Sequence, residues 1–192
     1  MFFVSCWRKA VLGILSAALL ICSMALSGCS SNESTSSQIQ SDASSEPETT
    51  DEYYVDAQQM EQVLEEIYQD YPELLLESVS IPTDEEIEEV LKLTLSYIDD
   101  AYIRYSSGSF GLADVYVIKP TSSSGYAVYE ELEELRERRI SEFEQYDVYD
   151  ALEIAENSEV QMVGNYVVLL MLENADEALE KLEPIIPTPS RY

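Results

Sequence analysis

Val167-Val168-Leu169-Leu170-Met171-Leu172 is an unbroken run of branched and straight aliphatic side chains. A strand points successive side chains to opposite faces, so six apolar residues in a row leave neither face suited to water. The run is short for a helix, and Gly164-Asn165 just before it is a favoured two-residue hairpin turn. Together these features predict a central strand buried on both faces, and the rest of the fold has to be built around it.

The partner segments carry their own signals. Glu159 to Val163 and Tyr166 to Glu173 make one hairpin about Gly164-Asn165. Ala101 to Ser107 (AYIRYSS) and Ala113 to Lys119 (ADVYVIK) flank Gly108-Ser109-Phe110-Gly111 and read as another. Elsewhere the period is helical. Asp56 is placed to cap a helix whose Met60, Val63, Leu64 and Ile67 follow i, i+3, i+4, i+7 spacing before Pro72. Thr83-Asp84-Glu85-Glu86 is a capping box, followed by the apolar positions Ile87, Val90 and Leu91. The longest helix runs from about Tyr126 to Gln145, with Val128, Leu132, Leu135 and Phe143 on one face and Arg139 filling the gap in that stripe. A short helix over Asp147 to Asn157 and a last one over Ala175 to Leu182 complete the order α-α-β-β-α-α-β-β-α. This order predicts a single α+β domain over 53–186: an antiparallel four-stranded sheet of two hairpins with helices packed on one face, then a tail over 187–192.

The N-terminal part is of a different kind. Arg8 and Lys9 precede an uncharged stretch from Ala10 to Met24, which has the length of a secretory h-region and falls short of the ~20 residues that span a bilayer. Leu26-Ser27-Gly28-Cys29 then reads as a lipobox: cleavage between Gly28 and Cys29 removes 1–28, and the Cys29 thiol carries a diacylglycerol. Each methylene of such an anchor contributes about 0.8 kcal/mol when buried in lipid. Over 29–52 the lipidated Cys is followed by a Ser-, Thr- and acid-rich stretch with only Ile39 and Ala43 apolar, too little to offset the entropy of ordering. It is expected to be a disordered tether, reaching about 75 Å when extended. These features predict a lipid-anchored protein on the extracytoplasmic face of the cell membrane.

The remaining composition excludes much chemistry. Cys6 and Cys22 leave with the signal, so Cys29 is the one thiol beyond it, and acylation closes it to disulfides and metals. The chain has no His, which removes Ser-His-Asp and Cys-His nucleophile systems and the usual zinc-hydrolase ligands. No Ser-x-x-Lys occurs, and Ser107-Gly108-Ser109-Phe110-Gly111 lacks the first Gly of a nucleophile elbow. Neither a Walker loop nor a dinucleotide-type Gly-rich turn is present. No catalytic residue, cofactor or metal site is therefore assigned. Both basic residues of 1–28 and none of the acids go with the signal, which leaves 8 basic and 38 acidic residues and a formal charge of −30. Such a surface is a poor partner for nucleic acid.

Three groups of residues admit a functional and a plainer reading. Arg136, Arg138 and Arg139 could bind an anionic polymer, but Glu133 to Arg136 and Glu134 to Arg138 are also favourable pairs within one helix, and this second reading weighs more. Tyr102, Tyr105, Tyr116 and Tyr166 could form a stacking face, yet strands favour Tyr as a half-buried residue whatever the function. Asp84-Glu85-Glu86 and the acids of Glu130-Glu131-Leu132-Glu133-Glu134 could attract calcium, but they lack EF-hand spacing and fit helix starts and solvated helix faces.

Ala113-Asp114-Val115-Tyr116-Val117-Ile118-Lys119, the charged helix ending in Phe143-Glu144-Gln145-Tyr146, and Val163-Gly164-Asn165-Tyr166-Val167-Val168-Leu169 resemble the DUF4358 family. The resemblance covers about Ile103 to Leu182. Its motifs are a short strand with an acid near its start and a Lys at its end, and a Gly-Asn-Tyr-Val hairpin. It implies a small lipoprotein of Firmicutes with a lipobox, a polar linker and one domain, facing the wall of a Gram-positive cell; the family has no assigned activity. The expectation is a non-enzymatic binding or assembly module of the envelope, anchored in the membrane through Cys29, with an envelope protein or wall polymer as its partner. The alternatives are a cation- or solute-sensing lipoprotein that docks on a membrane partner through the Tyr-bearing sheet, and a carboxylate-based hydrolase of wall glycans.

Overall fold

The structure, a computed structural model, describes residues 54–188. The segment 1–28, the lipobox residues Leu26, Ser27, Gly28 and Cys29, the linker to residue 52 and the last four residues lie outside the described residues.

Local signals in the chain set most of the element boundaries. The Asp56 carboxylate accepts the Gln59 N–H at 2.8 Å and starts α1 (Ala57–Tyr68), whose Met60, Leu64 and Ile67 are buried. After Pro72 come α2 (Glu73–Leu76) and a two-residue strand, β1 (Val79–Ser80). The capping box is formed: the Thr83 N–H donates to Glu86 Oε2 at 2.8 Å, the Glu86 N–H donates back to Thr83 Oγ1 at 3.3 Å, and α3 (Asp84–Glu89) follows. A 3-10 turn over Leu95–Tyr97 leads into β2 (Ile98–Ser106), then β3 (Asp114–Pro120) and the long α4 (Gly125–Gln145). The chain closes with α5 (Ala151–Asn157), β4 (Val160–Val163), β5 (Tyr166–Met171) and α6 (Ala175–Leu182).

Five strands form one antiparallel sheet in the order β1-β2-β3-β5-β4. The two expected hairpins lie side by side, and β3 meets β5 with Val115 opposite Leu170, Tyr116 opposite Leu169 and Val117 opposite Val168. Every residue of β5, and every residue of β3 before Pro120, is buried. The unbroken apolar run is thus a central strand shielded on both sides.

That burial overturns the expectation of helices on one face. Tyr116, Ile118, Val167, Leu169 and Met171 pack under Val128, Leu132, Leu135 and Phe143 of α4 and Ala151 and Ala155 of α5. Val115, Val117, Tyr166, Val168 and Leu170 point the other way, onto Met60, Leu64 and Ile67 of α1 and Ala178 and Leu182 of α6. Period-2 alternation on an apolar strand leaves two oily faces, and a layer on one alone would expose Val115, Val117, Val168 and Leu170 to water. The described domain has three layers, helix, sheet and helix, with a core on each side of the sheet. The expected four strands are present with β1 added, too short to stand out by periodicity. The helix expected from Asp147 starts instead at Ala151, because Tyr149 and Asp150 take left-handed backbone (φ 52 and 60). Asp147 still serves it, accepting the Leu152 N–H at 3.0 Å.

Candidate functional site

At the end of the sheet where β2 turns into β3 and β5 turns into α6, a groove of about 990 Å³ opens. Its floor is apolar and comes from the sheet and the loops beside it: Leu75, Leu112, Leu170 and Leu172, all buried. Three large side chains form its lips. Leu74 on α2, Phe110 in the β2–β3 loop and Tyr149 before α5 are 57%, 43% and 74% exposed, whereas the apolar residues of β3 and β5 are shielded. The left-handed backbone at Tyr149 and Asp150 is what presents the Tyr149 ring at this edge in place of another helical turn. Five carboxylates complete the rim: Asp150 and Glu153 on the α5 side, Glu173, Asp176 and Glu177 on the β5–α6 side. All five are exposed, and among the described residues no Lys or Arg lines the groove. Tyr71 holds one wall by donating to Asn174 Oδ1 at 2.8 Å, its phenol pushed up to about 12 by burial. Neighbouring Tyr68 donates to the Ala113 carbonyl at 2.9 Å and packs edge-on against Tyr71.

The wall carrying Phe110 is fixed from behind by a buried ion pair. Asp114 lies wholly inside the protein, at the start of β3. Its Oδ1 accepts the backbone N–H and the hydroxyl of Ser106 across the neck of the hairpin, both at 2.7 Å, and its Oδ2 accepts the Tyr116 hydroxyl at 3.1 Å. Arg139 of α4 sets its Nε 3.2 Å from Oδ2 and donates from Nη2 to the Ser106 carbonyl (3.1 Å) and hydroxyl (3.2 Å). Burial pushes the Asp114 carboxyl upward, and Arg139, Ser106 and Tyr116 pull it back. Burial works against the Arg139 cation, yet the charges of Asp114 and Glu142 carry it above its ordinary value. Ser106 and Tyr116 both donate to Asp114, and the Arg139 cation stands beside it, an environment suited to an ionised carboxylate.

The arginines singled out in the sequence do not converge on an anion site. Arg136 donates to the Ser158 carbonyl at 2.7 Å and the Glu156 carbonyl at 3.0 Å, closing the C-terminal end of α5, and stands 3.6 Å from Glu133. Arg138 donates to the Leu91 carbonyl at 2.6 Å in place of the expected partner Glu134. The three tie α4 to three different parts of the chain, a tertiary role that helical spacing cannot reveal. The tyrosines split as well. Tyr116 and Tyr166 are fully buried, on opposite faces; Tyr105 packs on the α4 side and Tyr102 on the α1 side. Tyr166 donates to Asp100 Oδ2 at 3.0 Å and accepts the Val55 N–H at 3.1 Å. They form no common stacking face. Of the acids, Glu86 serves the capping box, and Glu131 receives the Thr94 N–H and hydroxyl at 2.9 and 2.6 Å. Among the described residues no group of three or more His, Cys, Asp or Glu is placed to hold a metal ion, and no helix is long and apolar enough to cross a membrane.

Lys119, at the far end of β3, is the one cation of that strand and is also buried. Its Nζ lies 2.7 Å from Asp99 Oδ2 and 3.0 Å from the centre of the Tyr54 ring, and the Tyr54 hydroxyl donates to the same carboxylate at 2.7 Å. The hydrogen bond from Lys119 holds Asp99 below its ordinary 3.8. Burial pulls Lys119 down, but Asp99 and Tyr54 outweigh it and leave the amine above 10.5. Asp99 therefore stabilises the fold above about pH 4, and that contribution disappears as falling pH protonates it. The contribution of Lys119 is complete below 10.5 and disappears as rising pH passes its elevated value. Because Asp99 is 38% exposed, Asp99→Asn should cost only about 0.5 kcal/mol at neutral pH. In urea unfolding, the difference between the two proteins should shrink as pH falls from 7 through the depressed range of Asp99; a difference that does not change with pH would contradict the pairing.

Comparison with known proteins places this geometry in a family. Residues 74–172 match the model described as Domain of unknown function (DUF4358). The match begins at α2, well before Ile103, and ends at Leu172, so it takes in the whole sheet and the groove floor but neither α1 nor α6. No curated protein and no solved structure matches the chain. With just over half of its length matched, this chain belongs to the DUF4358 family, whose domain has no assigned function.

Proposed function

We propose that this protein is a lipoprotein held on the extracytoplasmic face of the cell membrane by lipidated Cys29, and that its domain binds an envelope partner in the groove without catalysing a reaction. The observation that carries the binding reading is the groove itself: Leu74, Phe110 and Tyr149 stand exposed around an apolar floor, next to a sheet that hides its apolar residues. Exposed apolar groups gathered about a concavity mark a place where something else is buried. Support for the address is the lipobox and the acid-rich tether after it. Support for the absence of catalysis is chemical. The chain has no His, and a glycan hydrolase needs one carboxyl kept protonated by dry surroundings, whereas the five groove carboxylates are all exposed. Asp114, the buried acid, is spent on Ser106, Tyr116 and Arg139 and does not line the groove.

Two measurements test this reading. Cys29→Ala should leave an unprocessed, larger species or release protein from the membrane fraction; unchanged size and unchanged retention would sink the anchor. A photo-crosslinking residue at Phe110 should capture an envelope component in cells, and the same residue at Glu137 on the outer side of α4 should not. Equal capture at both positions, or none at Phe110, would remove the groove from the function.

A further inference from the structure

The chemistry of the groove narrows what it takes. Its floor is aliphatic, its lips are one leucine and two aromatic rings, and its rim is five carboxylates with no compensating cation. A cleft lined by charge of one sign, with low-dielectric walls, concentrates that field at its mouth. Five classes of occupant can be weighed against this. A divalent ion needs converging carboxylates, and no group of three is so arranged among the described residues. An anionic polymer is repelled by the rim, as is a second copy of this chain, which carries a formal charge of −28. A neutral glycan can donate its hydroxyls to the carboxylates, but it brings no positive charge to balance five of one sign and no aliphatic groups for the floor. The remaining class presents apolar side chains to the floor and positive charge to the rim. About 990 Å³ lies at the upper end of the range for small-ligand sites, roughly 300–1,000 Å³, and has room for several side chains.

We propose that the groove binds a short peptide segment of a partner protein in which large apolar residues are flanked by Lys or Arg. This rests on the reading of the groove as a binding site and adds the chemistry of its partner. Aromatic and aliphatic anchors enter between Leu74, Phe110 and Tyr149, where such residues act as the centre of an interface. Lysines or arginines of the segment meet Asp150 and Glu153 on one side and Glu173, Asp176 and Glu177 on the other. These rim pairs are solvated, so they select the partner and speed its approach more than they hold it, and their effect fades with salt.

The test uses the full chain in uncharged detergent, with binding to empty micelles subtracted. Three nine-residue peptides serve as probes: Leu and Phe alternating with Lys, the same with Glu for Lys, and the same with Ser for Leu and Phe. The Lys peptide should bind, the Glu peptide should not, and the Ser peptide should bind about tenfold more weakly than the first. Combining Glu173→Gln, Asp176→Asn and Glu177→Gln should weaken the Lys peptide about fivefold at low salt and flatten its salt dependence. Leu74→Ser with Phe110→Ser should weaken it about tenfold. Glu130→Gln with Glu134→Gln, on α4 away from the groove, should change nothing, and circular dichroism checks that each variant is folded. Binding of the Glu peptide as tight as the Lys peptide overturns the proposal, as does Lys-peptide binding indifferent to both groove variants. The crosslink from Phe110 separates the two levels of the argument. A captured segment with basic and apolar residues supports the proposal; an acidic or purely polar one overturns it while the binding module stands; and no capture at Phe110 overturns both.

Discussion

Arg139→Met should lower the free energy of unfolding by about 3–5 kcal/mol, the usual cost of leaving a buried charge without its partner. Asp114 has no solvent to fall back on: it is 1% exposed, and among the described residues Arg139 is the cation paired with it. The loss goes beyond one pair. Arg139 also donates to the Ser106 carbonyl and hydroxyl, and Ser106 in turn holds Asp114 from the other side, so one substitution loosens the neck of the β2–β3 hairpin. For a domain of this size the melting temperature should fall by roughly 10–15 °C. Adding Asp114→Asn should restore part of it, because the amide carries no charge that demands a counter-charge and its Oδ1 can still accept both Ser106 donors, which Leu would leave orphaned. Thermal melts of the two single variants and the double variant decide the matter. Single variants within about 0.5 kcal/mol of the parent, or a double variant no better than Arg139→Met, would show that the pair is not coupled. The hairpin loop bears Phe110 and Gly111, so amide exchange there should quicken in Arg139→Met before the sheet itself opens.

This pair shows where the chain was legible and where it was not. Arg139 stood out in the sequence as a charge in the apolar stripe of a helix, and Asp114 as the acid near the start of a short strand that ends in a Lys. Both are core positions, and a core charge needs an opposite charge to meet it; what hid the match was that 25 residues and a crossing of two elements separate them. Arg136 and Arg138 were equally visible, but their partners are carbonyls at Glu156, Ser158 and Leu91, and a backbone acceptor leaves no mark in a sequence. The elements with strong local causes were readable: the Asp56 cap, the Thr83 box, the Gly164-Asn165 turn and α6 over Ala175–Leu182. β1 is two residues long and exists because Val79 and Ser80 find the free edge of β2 at Ser106 and Tyr105, which is a tertiary event. The double burial of β5 was written in Val167 to Leu172, but the helices that cover its second face had to come from opposite ends of the domain, α1 and α6. The groove was least legible of all. Leu74, Phe110, Tyr149 and the acids of the β5–α6 turn lie far apart in sequence, and each alone reads as an ordinary surface residue.

Gly164→Ala should cost about 3 kcal/mol, more than its change of a single methyl suggests. Gly164 holds φ at +58 while Asn165 keeps φ out of the positive region, the pattern of a type II′ turn with Gly first, and an L-residue there pays about 1–2 kcal/mol in backbone strain. The larger obstacle comes from elsewhere in the chain. A Cβ at this position would sit 2.2 Å from the Pro187 carbonyl oxygen, 3.1 Å from its carbon and 3.0 Å from Ile186 Cγ2. A backbone carbonyl cannot swing aside as a side chain can, so the segment after α6 must lift and draw Ile186 out of the α1–α6 core, where it is 4% exposed. Burial of an isoleucine is worth about 1.5–3 kcal/mol, and partial loss of it brings the sum to the stated figure. The two causes can be separated by shortening the chain to end at Ile186, which removes the carbonyl in the way and leaves the turn as it was. In that background Gly164→Ala should cost only the strain of about 1–2 kcal/mol. Urea unfolding of the four proteins gives the coupling directly. An equal cost in the long and short chains would place the whole effect in the turn; a smaller cost in the short chain makes the hairpin between β4 and β5 the seat on which residues beyond α6 are held, and extends the folded domain past Ile186 to Pro187.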